Sequence, residues 1–338
     1  MSVIICGPTA LEWLRAVPPN VWDIQPLDRE VDLEREHTDF REAARLDLAR
    51  VGVERRPLHV LVPKGHRRSE SALVHSHETS LATLPAGLVF EPSPGILVCG
   101  PELTFCQLAR KQSLVGATVL GCELTARYSH FSKLVSGHYE RPALTSPKRL
   151  REAMDELRGL YGLAAARRAL ALVLEGSRSP METALACELS FPVAMGGCGF
   201  DRPQLNYEVK LDDVAARILG QRHCYPDIAW TDQQVGVEYD SDEWHTDKDH
   251  DRRRAEALSH TGWSTYTVDL DQIHKPSELA KTVDFLDGLL PRHGTPDHAQ
   301  QLELHERLLK ATRFGLGLEA ALFPFAPPAS RVKIHCHS

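Results

Sequence analysis

Three carboxylates on one short stretch are the side chains of this chain best spaced for chemistry. Between Cys224 and His245 the sequence reads CYPDIAWTDQQVGVEYDSDEWH, in which two apolar runs, Tyr225–Trp230 and Gln234–Asp240, flank the polar turn Thr231-Asp232-Gln233. That is the pattern of two strands joined by a turn. With Asp232-Gln233 at the centre of the turn, or with residues 231–234 as a four-residue loop, Asp227 falls opposite Glu238 and Tyr225 opposite Asp240. Side chains alternate along a strand, so Asp227, Glu238 and Asp240 share one face while Ile228, Trp230, Val235 and Val237 share the other. Directly opposed carboxylates lie roughly 4.5–5.5 Å apart at Cβ and repel one another. A hard divalent cation removes the conflict, because Mg²⁺ takes oxygen ligands and is held by one or two carboxylates together with water and substrate phosphate. Asp227 and Glu238 are therefore the candidate ligands for Mg²⁺ or Mn²⁺. The competing expectation is a solvated hairpin face carrying ordinary surface acids, and a three-residue loop would break the register.

The elements that must position this hairpin follow from its flanks. Ser179-Pro180-Met181-Glu182 opens a helix: Ser179 is a good cap, Pro180 suits the first turn, and Glu182 three residues on completes a capping box. Gly196-Gly197-Cys198-Gly199 reads as a loop, and Gln204–Leu211 alternates as one strand. Asp242–His260 reads as a polar helix carrying Lys248, Arg252, Arg253 and Arg254 among Asp247, Asp249 and Asp251. A solvated, salt-bridged helix accounts for the charges alone. Beside an acidic metal site, however, the arginines are well placed to grip phosphates bidentately. Ser264–Asp269 supplies a further strand, and residues 276–290 and 297–313 are amphipathic helices.

In this order the residues resemble the PD-(D/E)xK nuclease superfamily, most closely its very-short-patch-repair-like branch. Pro226-Asp227 stands where that family has its PD, Glu238-Tyr239-Asp240 stands for the second acidic motif, and His245 follows where relatives carry a histidine. Asp251-Arg252-Arg253-Arg254, Leu258 and Gly262-Trp263 are similar to the family's passage from helix to strand, and Glu182 matches the acid at its helix start. The resemblance spans about residues 178–275. It implies a restriction-endonuclease-like mixed sheet flanked by helices and a metal-dependent hydrolysis of phosphodiester bonds in DNA. Asp227 and Glu238 would bind the metal, Glu182 and Asp240 would orient water or a second metal, and His245 would act as general acid or base. Glu182 can serve as cap, as site acid, or as both. The chain departs from the superfamily in having Asp240 where many members carry lysine, which fits the patch-repair-like branch; Lys210 is close enough in sequence to substitute, although an exposed strand-end lysine is the plainer reading. Ser241 replaces the branch's usual glycine, and His245 lies further along than its histidine.

The first 145 residues are a mixed α/β pattern. Val3–Cys6, Leu58–Pro63, Ala72–Ser76 and Gly95–Cys99 read as strands; Thr9–Ala16, Asp39–Val51 and Pro101–Gln112 read as helices. The segment Val98-Cys99-Gly100-Pro101-Glu102-Leu103-Thr104 gives this half a weaker resemblance to abortive-infection antitoxin-like proteins. Lys64-Gly65-His66-Arg67-Arg68 is its one basic cluster, read as a solvated loop before a phosphate contact. Helical residues 146–175 lead into a domain over residues 176–290, and residues 291–338 form a C-terminal helix and a proline-bearing tail.

A net charge of −7 excludes a wholly basic nucleic-acid coat and confines any phosphate contact to a local patch or a metal. The 8 cysteines show no CxxC pair, which suits a reducing, cytoplasmic compartment, and the first residues lack the basic start of a signal peptide. No run is long enough for a membrane span. Of the 17 histidines, His66, His75, His77 and His138 read as polar loop residues; His335-Cys336-His337 has the residue types to hold a metal but reads as an unligated end segment. The expected protein is an α/β metal-dependent DNA endonuclease acting in DNA repair or phage defence, with DNA as partner and a second copy or a toxin–antitoxin or defence protein as a further one. The alternative is a non-catalytic DNA-binding or antitoxin-like regulator that keeps the nuclease fold.

Overall fold

The computed structural model describes residues 2–16, 24–36, 38–130, 137–240 and 248–313. It divides into two compact units, one of Met1–Thr125 and Ser129–Val173, the other of Ala126–Tyr128 and Leu174–Leu316, each taken over its described residues. Both are mixed α/β, with helices flanking mixed sheets. No described helix is long and apolar enough to cross a membrane. The seven described cysteines are free and buried.

The elements run in chain order β1 (Val3–Ile5), α1 (Gly7–Ala16), β2 (Val31–Asp32), α2 (Phe40–Arg45), β3 (Leu58–Pro63), β4 (Val74–Thr79), β5 (Thr83–Leu84), β6 (Val89–Ser93), β7 (Ile96–Cys99), α3 (Pro101–Ala109), α4 (Leu114–Thr125), β8 (Tyr128–His130), β9 (His138–Glu140), α5 (Pro147–Glu156) and α6 (Leu163–Leu170). The first unit is built on a five-stranded sheet of order β4-β3-β1-β7-β6. β3 pairs parallel with β4 and antiparallel with β1, and β1 pairs parallel with β7. All of β3, LHVLVP, is buried, as expected of a strand covered on both faces.

Two expectations for this half fail for local reasons. The single helix over Asp39–Val51 is broken, because Asp39 caps α2 by accepting the N–H groups of Arg41 and Glu42, and Asp47 opens a separate short turn by accepting that of Ala49. Aspartate competes for backbone donors and favours such starts over helix interiors. His75, His77 and His138, expected in loops, lie on strands, the first two on β4, which begins at Val74 and runs to Thr79, and His138 at the start of β9.

The second unit continues with α7 (Pro180–Ser190), β10 (Gln204–Leu205), β11 (Val209–Lys210), α8 (Asp213–Leu219), β12 (His223–Cys224), β13 (Ile228–Trp230), β14 (Val235–Asp240), α9 (Lys248–His260), β15 (Ser264–Asp269), α10 (Leu270–His274), α11 (Pro276–Asp287) and α12 (His298–Arg313). Its main sheet has the order β10-β13-β14-β15, with β14 and β15 parallel and the other pairs antiparallel. Parallel neighbours need a crossover, and α9 lies on that connection. Ala257, Leu258 and Trp263 pack with Val209, Leu211, Ala215, Leu219, Cys224 and Ala229, which pins α9 over the hairpin. A buried contact between His305 Nδ1 on α12 and Glu188 on α7, at 2.9 Å, fixes the helix that carries Glu182. Burial disfavours the His305 charge, but Glu188 outweighs it and raises the pKa.

The strand expected over Gln204–Leu211 is two strands in two sheets, β10 beside β13 and β11 beside β12. The break falls at Asn206, whose φ of 51° is left-handed. Asparagine is among the few non-glycine residues that tolerate this region.

Candidate active site

The hairpin has the anticipated register: Ile228 pairs with Val237, Ala229 with Gly236 and Trp230 with Val235. Continued one residue outward, it sets Asp227 against Glu238. Asp227 Oδ2 accepts the Tyr239 N–H at 2.8 Å, and the Asp227 backbone N–H in turn bonds to the Glu238 carboxylate. Gly236 permits this approach, since a Cβ there would stand 3.2 Å from the Pro226 side chain. The acid face is not the solvated surface that ordinary hairpin acids would require. Ala229 and Gly236 are buried on it, and the Glu238 side chain is only 14% exposed.

Glu182 comes to the same place from the start of α7. Ser179 Oγ accepts the Glu182 N–H at 3.1 Å, as a cap should, but the reciprocal bond of a capping box is displaced by one residue. Glu182 Oε2 accepts the backbone N–H of Arg178 at 2.9 Å and the Asn206 side-chain amide at 3.0 Å. Asn206 also donates its backbone N–H to the Asp227 carbonyl oxygen at 3.0 Å, so its left-handed turn ties α7 to the hairpin.

On α9 the three arginines separate. Arg254 turns inward, and its Nη2 donates to Glu238 Oε2 at 2.7 Å and to the Tyr225 carbonyl oxygen at 2.5 Å. Arg252 and Arg253 are exposed; Arg252 lies 3.5 Å from Asp249, and Arg253 donates to the Asp249 carbonyl oxygen at 3.2 Å. Asp240 ends β14 in register with Asp269, on the same face as Glu238 by strand alternation. Lys248 is the first residue of α9. Lys210 is exposed on β11 and belongs to the other small sheet. His245, like the tail residues 323–329 and 335–337, lies outside the described residues.

The electrostatics follow from this convergence. Burial, and then the charge of Asp227, push Glu182 well above the usual carboxylate range, against the hydrogen bonds from Arg178, Asn206 and Ser179. Glu238 is raised in the same way by burial and by Asp227, although Arg254 pulls it down. Burial works against the Arg254 charge, yet Glu238 and Asp227 raise its pKa above the usual value. Glu238 Oε1 and Asn206 Oδ1 are buried, and among the described residues neither has a hydrogen-bond partner.

Such a cluster takes up protons or a cation. Its donors are hard oxygens, the preference of Mg²⁺ and Mn²⁺, so the residues present fit the metal. Among the described residues no group of three or more His, Cys, Asp or Glu forms a ready metal cage. The fit is therefore that of a site with one or two carboxylate ligands, completed by water and substrate oxygen.

Sequence reasoning missed Asn206, and also Arg178 and Tyr225, whose guanidinium and ring stack at 5.4 Å beside the Glu182 helix start. For Asn206 a signal exists: asparagine is depleted in strands and enriched in left-handed turns, yet it stands in mid-run. The stack had none, since the residues are 47 apart in the chain by their numbers. No protein-family model matches this chain, and the comparisons with curated proteins and with solved structures likewise give no match.

Proposed function

We propose that the second unit is a metal-dependent deoxyribonuclease of restriction-endonuclease-like fold, hydrolysing phosphodiester bonds in DNA as part of repair or phage defence. The observation that carries this reading is the meeting of Glu182, Asp227 and Glu238, with Glu238 Oε1 and Asn206 Oδ1 buried and without hydrogen-bond partners among the described residues. Asp227 and Glu238, helped by Asn206 Oδ1, are the residues that would hold Mg²⁺ or Mn²⁺. A bound cation of this kind polarises a phosphoryl oxygen and lowers the pKa of water.

The chain's own groups do the rest. Arg254 holds Glu238 by Oε2 and so leaves Oε1 as the free oxygen. Glu182, raised toward neutrality, can accept a proton from a water that it and Asp240 orient, because a base acts best near the working pH. His245 is the assigned general acid or base. Arg252 and Arg253, exposed on α9, and Lys248 at its start are the phosphate-gripping residues.

One observation favours the rival reading, a non-catalytic DNA-binding or antitoxin-like regulator: Arg254 already supplies Glu238 with an internal cation, and no lysine follows it at the motif position. Incubating supercoiled plasmid with the protein in Mg²⁺, in Mn²⁺ and in EDTA decides between them. Nicking that depends on the cation supports the enzyme; DNA binding without nicking in any cation supports the regulator.

A further inference from the structure

The first unit contains a second polar centre that the nuclease reading does not use. His59 on β3 lies opposite His75 on β4, and His77 follows two residues on. The three imidazoles stack mutually, with centroids 4.9–5.3 Å apart and planes within 18°. His59 Nδ1 is 2.7 Å from His77 Nε2, and His77 Nδ1 is 3.4 Å from Lys111 Nζ. These distances fix the protons. An ammonium has only donors, so His77 Nδ1 accepts from Lys111; His77 Nε2 then carries hydrogen and donates to His59 Nδ1. Burial first, and the neighbouring charges after it, hold His59 down to about 3 and His77 down to about 2, so both rings are neutral.

The chain ends at a pocket. His77, Arg110 and Lys111 line it together with Gly7, where α1 begins, and Tyr161. Lys111 is pulled below the usual lysine value by burial and then by Arg110 beside it. Among the described residues neither cation pairs with a carboxylate. Glu78 also lines the pocket, but its carboxylate is bonded to Arg68 and to the Gly65 N–H. Two adjacent like charges repel one another, and the positive end of α1 adds to the same field. An anion relieves all three. Beside them Tyr161 is 75% exposed, with the Arg110 guanidinium 5.1 Å from its ring centroid. An exposed ring next to paired cations is the arrangement that stacks a base while its phosphate is gripped.

We propose that this pocket binds a phosphorylated nucleoside, its phosphate between Arg110 and Lys111 and its base on Tyr161. The same chemistry is offered by a free nucleotide and by the phosphorylated end of a nucleic-acid strand.

The test is calorimetric titration of the full chain, in EDTA so that no strand is cut, with inorganic phosphate, AMP, a 5′-phosphorylated oligonucleotide and its unphosphorylated counterpart. AMP should bind more tightly than phosphate. R110Q/K111Q should weaken AMP by about tenfold or more, the size of a lost charge-assisted hydrogen bond. Y161A, at an exposed position, should weaken AMP by about tenfold and leave phosphate unchanged, since only the base loses its stacking partner. Tighter binding of the phosphorylated oligonucleotide than of AMP assigns the strand end; the reverse assigns the free nucleotide. No AMP binding by the wild type, or binding that neither variant changes, overturns the proposal. Because cleavage is not measured, failure here leaves the nuclease reading standing, and failure of plasmid nicking leaves this one.

Discussion

Asn206 and Glu182 are joined by a 3.0 Å hydrogen bond from a residue in left-handed conformation to a carboxylate buried to 6% exposure. The bond gives Glu182 a donor and leaves Asn206 Oδ1 buried without a hydrogen-bond partner among the described residues. N206D keeps the shape and replaces that donor with a further acid. In EDTA it should lower stability by about 1–3 kcal/mol, the usual cost of an uncompensated buried polar group. Mn²⁺ should recover most of the loss. An equal loss with and without Mn²⁺ would show that Asn206 is only a structural turn.

The raised acids make the cation-free protein prefer low pH. Glu182 and Glu238, each pushed up to about 8, contribute fully below the unfolded glutamate pKa near 4.3 and lose that contribution as pH rises through the folded value. Melting temperature in EDTA should therefore fall between about pH 5 and pH 8. E182Q keeps an acceptor for the Arg178 N–H and removes one of the two titrations. Its melting curve should match wild type near pH 5 and exceed it at pH 8. Parallel curves for the two proteins would place the titration elsewhere.

Binding a divalent cation should expel protons from the same pair, since both acids are partly protonated at neutrality. Calorimetry of Mn²⁺ binding at pH 7, repeated in buffers of different ionisation enthalpy, should report net proton release of up to about two per cation, and affinity should rise with pH. Buffer-independent heats would contradict the assignment.

The arginines of α9 divide by burial. Removing Arg254 strands Glu238 in a site where its side chain is 14% exposed, so R254Q should cost about 2–4 kcal/mol and reduce cleavage more than binding. Arg252 and Arg253 make only exposed contacts, and changing either to glutamine should cost less than about 1 kcal/mol. If they touch phosphates, each loss should flatten the salt dependence of duplex binding by about 0.9 in the log–log slope. Equal effects from all three residues would remove the division.

How far the sequence could be read depends on how local the cause was. The hairpin register and the facing of Asp227 by Glu238 followed from two-residue alternation around one turn, whereas the inward turn of Arg254 was suggested only by the resemblance of Asp251-Arg252-Arg253-Arg254 to a D-x-x-R pattern. Asn206 escaped because hydrophobic alternation on both sides masked a backbone reversal. His75 and His77 read as loop polar residues because their partners, His59 on another strand and Lys111 in the turn after α3, are brought near only by the fold. The displaced capping bond was illegible for a similar reason, since Glu182 is drawn toward Asn206, 24 positions away.

The central claim is that these carboxylates cut DNA, and a comparison of D227N with wild type tests it most directly. Asp227 bonds the Tyr239 N–H through one oxygen, which asparagine retains, so D227N should still fold and bind DNA in EDTA. With both proteins at matched occupancy on supercoiled plasmid in Mn²⁺, the wild type should produce nicked circles and D227N should be slower by about a hundredfold or more, as for loss of a group that stabilises the transition state. Equal nicking by the two proteins, or none by the wild type in Mn²⁺ or Mg²⁺, would contradict the account.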